Sequence, residues 1–282
     1  MKNIDGGEFT GERALFSSCD LSITGARFFD GESPLKESKK IRLDRCRFEW
    51  KYPLWYCKNV TVENTDFADT ARSGIWYTEN ITVRNCVIDA PKTFRRSSGV
   101  VLECVTMPNA QESMWSCYDV ELSDVRVVGD YFAMGATDVR IERLDIDGNY
   151  LLDGARNVVI RNSRLMSKDA FWNCENVVVY DSIIVGEYLG WNSKNVTFIN
   201  CDIESNQGMC YMQNLTLRGC RLKNTDLCFE YCTVDAEVDS YIDSVKNPIS
   251  GRIVAKEIGT VILDPECVDV TKTEITEVKA GV

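Results

Sequence analysis

The 282-residue chain contains no histidine. That absence removes Ser-His-Asp and Cys-His nucleophile systems, histidine-ligated metals and the side chain most used for proton transfer near neutral pH. Any chemistry falls to carboxylates, Lys, Arg, Tyr or Cys. Basic clusters are missing as well. The runs Lys36 to Lys40 and Arg95-Arg96 are short, and a net charge of −11 argues against a phosphate-backbone partner, so no nucleic acid is expected. No stretch approaches the ~20 apolar residues that cross a bilayer, so no membrane association is expected. Residues 1–8 hold no apolar h-region, which predicts a cytoplasmic protein whose thirteen cysteines stay reduced. The late group Cys210, Cys220, Cys228 and Cys232 lacks a CxxC pair, so neither a metal nor a cofactor is expected.

What the chain does contain is a repeat. Asn59-Val-Thr-Val-Glu-Asn-Thr-Asp-Phe67 is echoed by Asn80-Ile-Thr-Val-Arg-Asn-Cys-Val-Ile88 and by Asn195-Val-Thr-Phe-Ile-Asn-Cys-Asp-Ile203. Copies start at Asp20, Lys40, Asn59, Asn80, Gly99, Asp119, Asp138, Asn157, Asn176, Asn195 and Asn214, at spacings of 19 to 21 residues. Positions 2, 4 and 9 of each copy are apolar, and positions 3, 5 and 8 are mostly polar. Such alternation with β-branched residues inside marks a short strand with one buried face. One such strand cannot bury its face alone, whereas coils stacked at the strand spacing share a core and pair every backbone group.

The expectation is therefore an all-β, single-stranded parallel β-helix of 11–12 coils of 19–20 residues, as one domain over residues 1–282. Residues 1–16 read as an N-terminal cap, 17–232 as regular coils, and 233–282 as a closing coil and C-terminal cap. Asn recurs at positions 1 and 6, where corners must bend; it tolerates left-handed backbone and can bond to its own copy one coil away. Seven of the thirteen cysteines fall in small-residue corner columns, which reads as packing.

The NxTxxNCxI copies, with Lys168-Asp-Ala-Phe-Trp-Asn173 and Gly186-Glu-Tyr-Leu-Gly-Trp-Asn192, resemble the right-handed parallel β-helix of pectin-lyase-like architecture. More narrowly they are similar to a bacterial family of such helices that carries no assigned function. The catalytic constellations of polysaccharide lyases and polygalacturonases of this architecture find no motif-for-motif match, so no catalytic residue carries over. The rival fold is a leucine-rich repeat, because Leu215-x-Leu217-x-x-Cys220-x-Leu222 also satisfies LxLxxN/CxL. It is weaker, since the rest of each coil lacks a helical LxxL pattern.

Five tryptophans, Trp55, Trp76, Trp115, Trp172 and Trp191, lie four residues before a motif start, in a column shared with Lys36, Arg95 and Asp153. Its polar members place the column at the surface. Alternation gives the same answer, but the small-residue column two positions on has the same parity and reads as buried, which requires a bend between them. Trp172 and Trp191 would form an aromatic strip suited to sugar rings. Asp169 and Glu187 sit beside it on successive coils and are the candidate acid and base of a glycoside hydrolysis without histidine. Asp153, Asn173, Tyr188, Asn192 and Tyr211 are the neighbouring candidates for substrate contact. Two functions follow: a carbohydrate-binding or carbohydrate-processing protein, or a non-catalytic solenoid scaffold that binds a protein partner or its own copy as a homo-oligomer.

Overall fold

The computed structural model describes residues 1–278, so the last four residues of the expected C-terminal cap lie outside the described residues. The chain forms two compact units, Met1–Asp147 and Gly148 onward. Each is a right-handed parallel β-solenoid. In the first unit the leading strand of each coil is Lys2–Asp5, Cys19–Thr24, Lys39–Asp44, Lys58–Glu63, Glu79–Arg84, Ser98–Glu103, Tyr118–Val128 or Thr137–Asp147, giving eight coils. The second unit has seven, led by Arg156–Arg161, Glu175–Tyr180, Lys194–Ile199, Gln213–Lys223, Thr233–Lys246, Ser250–Ile262 and Thr273–Glu277. The only helical element among the described residues is the three-residue 3-10 turn Asp69–Ala71, so the leucine-rich-repeat alternative is excluded.

Motif register becomes strand register. Ile41 pairs with Val60, Leu43 with Val62 and Phe48 with Phe67 in the first unit. In the second, Val177 pairs with Val196, Val179 with Phe198 and Ile184 with Ile203. These residues are at most 2% exposed, and each contributes about 2 kcal/mol by leaving water. Phe9, Phe28, Phe48 and Phe67 stack with centroids 4.6–5.0 Å apart, so position 9 is a phenyl ladder at the start of the first unit.

Fifteen coils exceed the eleven motif copies, and each missed coil breaks the motif at a visible place. Lys2–Asp5 pairs in register with Leu21–Thr24, but Lys2 occupies apolar position 2. Val234 and Ala236 continue the ladder from Leu215 and Leu217, after which a register shift sets Val238 opposite Cys220. In the next coil position 2 is Gly251, paired with Val234, and the following coil places Thr273 there.

Position 1 of all eleven copies has φ between +53° and +60°, from Asp20 to Asn214, and position 6 is left-handed throughout. The asparagines satisfy that geometry and one another: Asn80 Nδ2 donates to Asn59 Oδ1 at 3.1 Å, and the chain Asn214→Asn195→Asn176→Asn157 repeats the bond at 2.9–3.0 Å. Three further left-handed residues precede each motif at alternate positions, as in Tyr52, Leu54 and Tyr56. Bulky L-residues resist this backbone at roughly 1 kcal/mol apiece. Bonds to both neighbouring coils offset the cost: Leu54 N donates to the Pro34 carbonyl at 3.1 Å and Tyr56 N to the Trp76 carbonyl at 2.9 Å. This alternation is the bend that the tryptophan column required.

Ten cysteines are buried, and the corner-column thiols Cys46, Cys57, Cys86, Cys174, Cys201 and Cys220 lie against main-chain carbonyls of neighbouring turns. Burial pushes Cys57 and Cys174 up to about 12, so both remain neutral thiols at any physiological pH.

Candidate functional site

The tryptophan column forms at that bend, and its members are half-buried. A backbone rule holds most of them: the indole N–H donates to the carbonyl of the residue seven before the next motif. Trp55 donates to Ser73 at 2.6 Å, and Trp76, Trp115 and Trp172 donate to Lys92, Tyr131 and Tyr188 at 2.7 Å.

In the first unit the ring faces are covered. Trp55 and Trp76 stack at 5.1 Å with planes 7° apart, and the Arg95 guanidinium lies 4.7 Å from the Trp76 ring and 4.5 Å from that of Trp115. The Lys36 amine sits 5.9 Å from Trp55 at the other end. Cations cap the stacked pair at both ends, a stabilising arrangement that leaves Trp55 and Trp76 only ring edges for a ligand.

In the second unit the rings are inclined to one another. Trp172 meets Trp191 at 5.4 Å and 45°, while Tyr150 lies edge-on to Trp172 at 5.9 Å and 86°. Trp191 is flanked by Tyr188 at 31° and Tyr211 at 76°, and Tyr211, 45% exposed, meets Tyr231 at 5.4 Å. The residue after Trp191 in the column is Cys210, which supplies no ring to stack. Its thiol lies 3.4 Å from the Gln207 carbonyl, the one that the N–H rule assigns to Trp191. Trp191 Nε1 is correspondingly buried with no oxygen acceptor, and the only group it faces is the weakly accepting Cys210 thiol.

Beside the rings runs a line of amides. Asn192 Nδ2 donates to Asn173 Oδ1 at 2.9 Å, and Asn173 Nδ2 donates to Asp153 Oδ1 at 2.9 Å. The structure thus brings Trp172, Trp191, Tyr188, Tyr211, Asn173, Asn192 and Asp153 into one surface.

The two carboxylates face different surroundings. Their backbones are adjacent, with Asp169 N donating to the Glu187 carbonyl at 2.9 Å. The Asp169 side chain is buried at 3% exposure, whereas Glu187 is exposed and ion-paired with Lys168 at 3.0 Å. Burial pushes Asp169 above the usual carboxylate range, a hydrogen bond from Tyr150 pulls it back, and the Glu187 charge adds the smallest effect. The offset has a sequence cause: Asp169 lies seven residues before its motif and Glu187 eight, so they occupy neighbouring columns.

Tyr150 and Lys168 belong to the surface and were absent from the sequence-based set. A signal existed for Tyr150, since Tyr52, Tyr131, Tyr150 and Tyr188 all lie seven residues before a motif.

The sequence matches the model of a family described as "Protein of unknown function (DUF3737)" over residues 2–276. No curated protein matches it. Among solved structures, PfbA, a surface adhesin of Streptococcus pneumoniae, is 11% identical with a TM-score of 0.53, covering 85% of this chain and 82% of its own. The alginate lyase AlyF-OU02 in complex with G6 is also 11% identical with a TM-score of 0.53, covering 97% of this chain and 88% of its own. A PL6 alginate lyase complexed with a trisaccharide is 9% identical with a TM-score of 0.52, covering 100% of this chain and 84% of its own. At such identities these likenesses establish the fold.

Proposed function

The chain belongs to the DUF3737 family of proteins of unknown function, and we propose that it is a carbohydrate-binding protein whose binding surface is the inclined aromatic cluster of its second unit. The observation that carries this reading is the 45° between Trp172 and Trp191 alongside the Asn192–Asn173–Asp153 line. Inclined rings do not cover one another's faces, so a pyranose can lay its C–H face on them. The amides and carboxylate then meet its hydroxyls at the ring edge. Two of the structures similar in fold are lyases with bound oligosaccharide, which accords with this class of ligand.

In this reading Asp169 and Glu187 position the surface. Asp169 holds the Tyr150 hydroxyl, and Tyr150 sets its ring edge against Trp172. Glu187 holds the Lys168 amine 5.3 Å from the Tyr188 ring centroid.

A glycan-array screen followed by calorimetry on the best ligand tests the proposal. Trp191→Ala should weaken binding by about tenfold or more, in line with loss of one aromatic platform. Trp76→Ala, in the covered column, should leave affinity unchanged. No binding across the array, or equal affinity for wild type and Trp191→Ala, would sink the reading.

A further inference from the structure

The spacing from Asn59 to Asn80, at 21 residues, is the longest in the repeat, and the extra length is taken up by the 3-10 turn Asp69–Ala71. The turn ends at Arg72, whose side chain leaves the coil. Beside it opens a groove of about 320 Å³, lined among others by Trp50, Lys51, Asp69, Thr70, Arg72 and Asn109. That volume lies at the lower end of small-ligand sites.

Three features of the groove point the same way. Trp50 is 38% exposed, whereas the five column tryptophans are half-buried at the bend. Arg72 forms no ion pair with any described residue, as is true in this unit also of Arg13, Arg42 and Arg96, while Arg27, Arg47, Arg84, Arg140 and Arg143 are each held by carboxylates. Lys51 adds a second cation, its amine 2.7 Å from Glu32 and 5.9 Å from the Trp50 ring centroid. Asp69, the carboxylate of the groove, accepts the Thr70 amide at 2.8 Å. The Lys51 amine lies over one face of the exposed indole, which leaves the other face beside an uncommitted guanidinium, the one cation of the groove not already matched, on a chain of net charge −11.

We propose that this groove binds one acidic sugar unit, a hexuronate, with its pyranose face on Trp50 and its carboxylate on Arg72. The planar guanidinium matches a carboxylate with two parallel N–H bonds, and the indole matches the apolar face of the ring. Asn109 supplies an amide for the ring hydroxyls. Thr70 is committed elsewhere, its hydroxyl donating to the Glu49 carbonyl at 2.6 Å. The inference shares a ligand class with the surface at Trp172 and Trp191, but none of its residues.

Calorimetry at low salt with trigalacturonate, and with cellotriose as the neutral probe, tests it. Trigalacturonate should bind, and Arg72→Met should weaken it about tenfold, the usual scale for a charge-assisted pair of bonds. Trp50→Ala should weaken it by a similar factor, and Trp191→Ala should leave it unchanged. Asp69→Asn should strengthen it about two- to fivefold by removing a like charge at the rim. Arg72 is exposed and unpaired, so thermal melts of Arg72→Met should match wild type and keep the affinity change interpretable. The proposal is overturned by any of three results: no heat with trigalacturonate up to about 10 mM, equal affinity for both probes, or full affinity in Arg72→Met. Trigalacturonate binding lost in Trp191→Ala but kept in Arg72→Met would assign acidic sugars to the second unit, removing this site while supporting the other.

Discussion

The same column of the repeat carries tryptophans in both units, yet its rings are arranged differently in each. In the first unit Lys36 and Arg95 flank the stacked Trp55 and Trp76, whose faces are met by each other or by a cation, and Arg95 also covers one face of Trp115. In the second, Asp153 precedes Trp172, Cys210 follows Trp191, and the two rings tilt 45° apart. Residue type and column do not decide whether an aromatic is structural or available. The neighbours one coil above and below decide it, because they cover the ring face or leave it open.

The largest expected effect that sharpens this contrast is on stability. Trp76→Ala opens a gap between Trp55 and Arg95, and it leaves the Lys92 carbonyl without its indole donor. Truncating a buried Trp costs ~3–5 kcal/mol, and half-burial brings the expectation to about 2–3 kcal/mol. Trp191→Ala removes no bond to an oxygen acceptor, only a contact to the weakly accepting Cys210 thiol, and should cost about 1 kcal/mol less or better. Urea unfolding of both variants checks the order. Equal losses would mean that the two columns are packed alike and that the surface proposed for sugar is structural.

A second test uses pH, because two acids are shifted in opposite directions. The Asp124 carboxyl in the first unit is held down to about 2 by the Arg143 guanidinium beside it. A folded value below the unfolded one gives stability that is fully present above about pH 4 and is lost as pH falls toward 2. Asp169 in the second unit is raised by burial, so its ionised form opposes folding. Its contribution improves as pH falls through its folded value. Asp124→Asn should therefore lower the urea midpoint at about pH 7 and lose that effect near pH 2. Asp169→Asn should raise the midpoint at about pH 7, with the gain vanishing in acid, provided the amide keeps the Tyr150 hydroxyl bond. Parallel slopes for the two variants would contradict the environments assigned to them.

The solenoid was legible because its causes are local and periodic. Val60, Val62 and Phe67 recur as Val196, Phe198 and Ile203, and all six are buried at 2% or less. Asparagine at positions 1 and 6 predicted both the left-handed corners and the side-chain ladder. A bend before each motif followed from the parity of the two columns, but its place and its backbone were not legible. It is built from left-handed Leu, Tyr, Phe and Met, which do not favour that backbone, and inter-coil hydrogen bonds hold them there. The site was legible as a set of columns but not as directions. Sequence spacing put Asp169 and Glu187 side by side, yet one carboxyl turns into the core and the other out to Lys168. The fate of Trp191 depends on Cys210 in the next coil and not on its own surroundings in sequence.

That dependence gives the smallest and sharpest test, in which only the indole N–H is removed. Trp172→Phe deletes the 2.7 Å bond to the Tyr188 carbonyl and should cost about 1 kcal/mol, the net worth of one such bond. Trp191→Phe deletes a buried donor that faces no oxygen acceptor and only the weakly accepting Cys210 thiol. Leaving a polar group in that state costs on the order of 1–3 kcal/mol, so its removal offsets the area lost with the smaller ring, and the variant should match or exceed wild type. Both substitutions keep an aromatic ring and remove similar apolar surface, so their difference isolates the N–H. Urea unfolding with matched m-values resolves a gap of about 1 kcal/mol between them. If Trp191→Phe is as costly as Trp172→Phe, the Trp191 indole is satisfied in solution. Cys210 then does not break the column, and the splay between the rings of the second unit needs another cause.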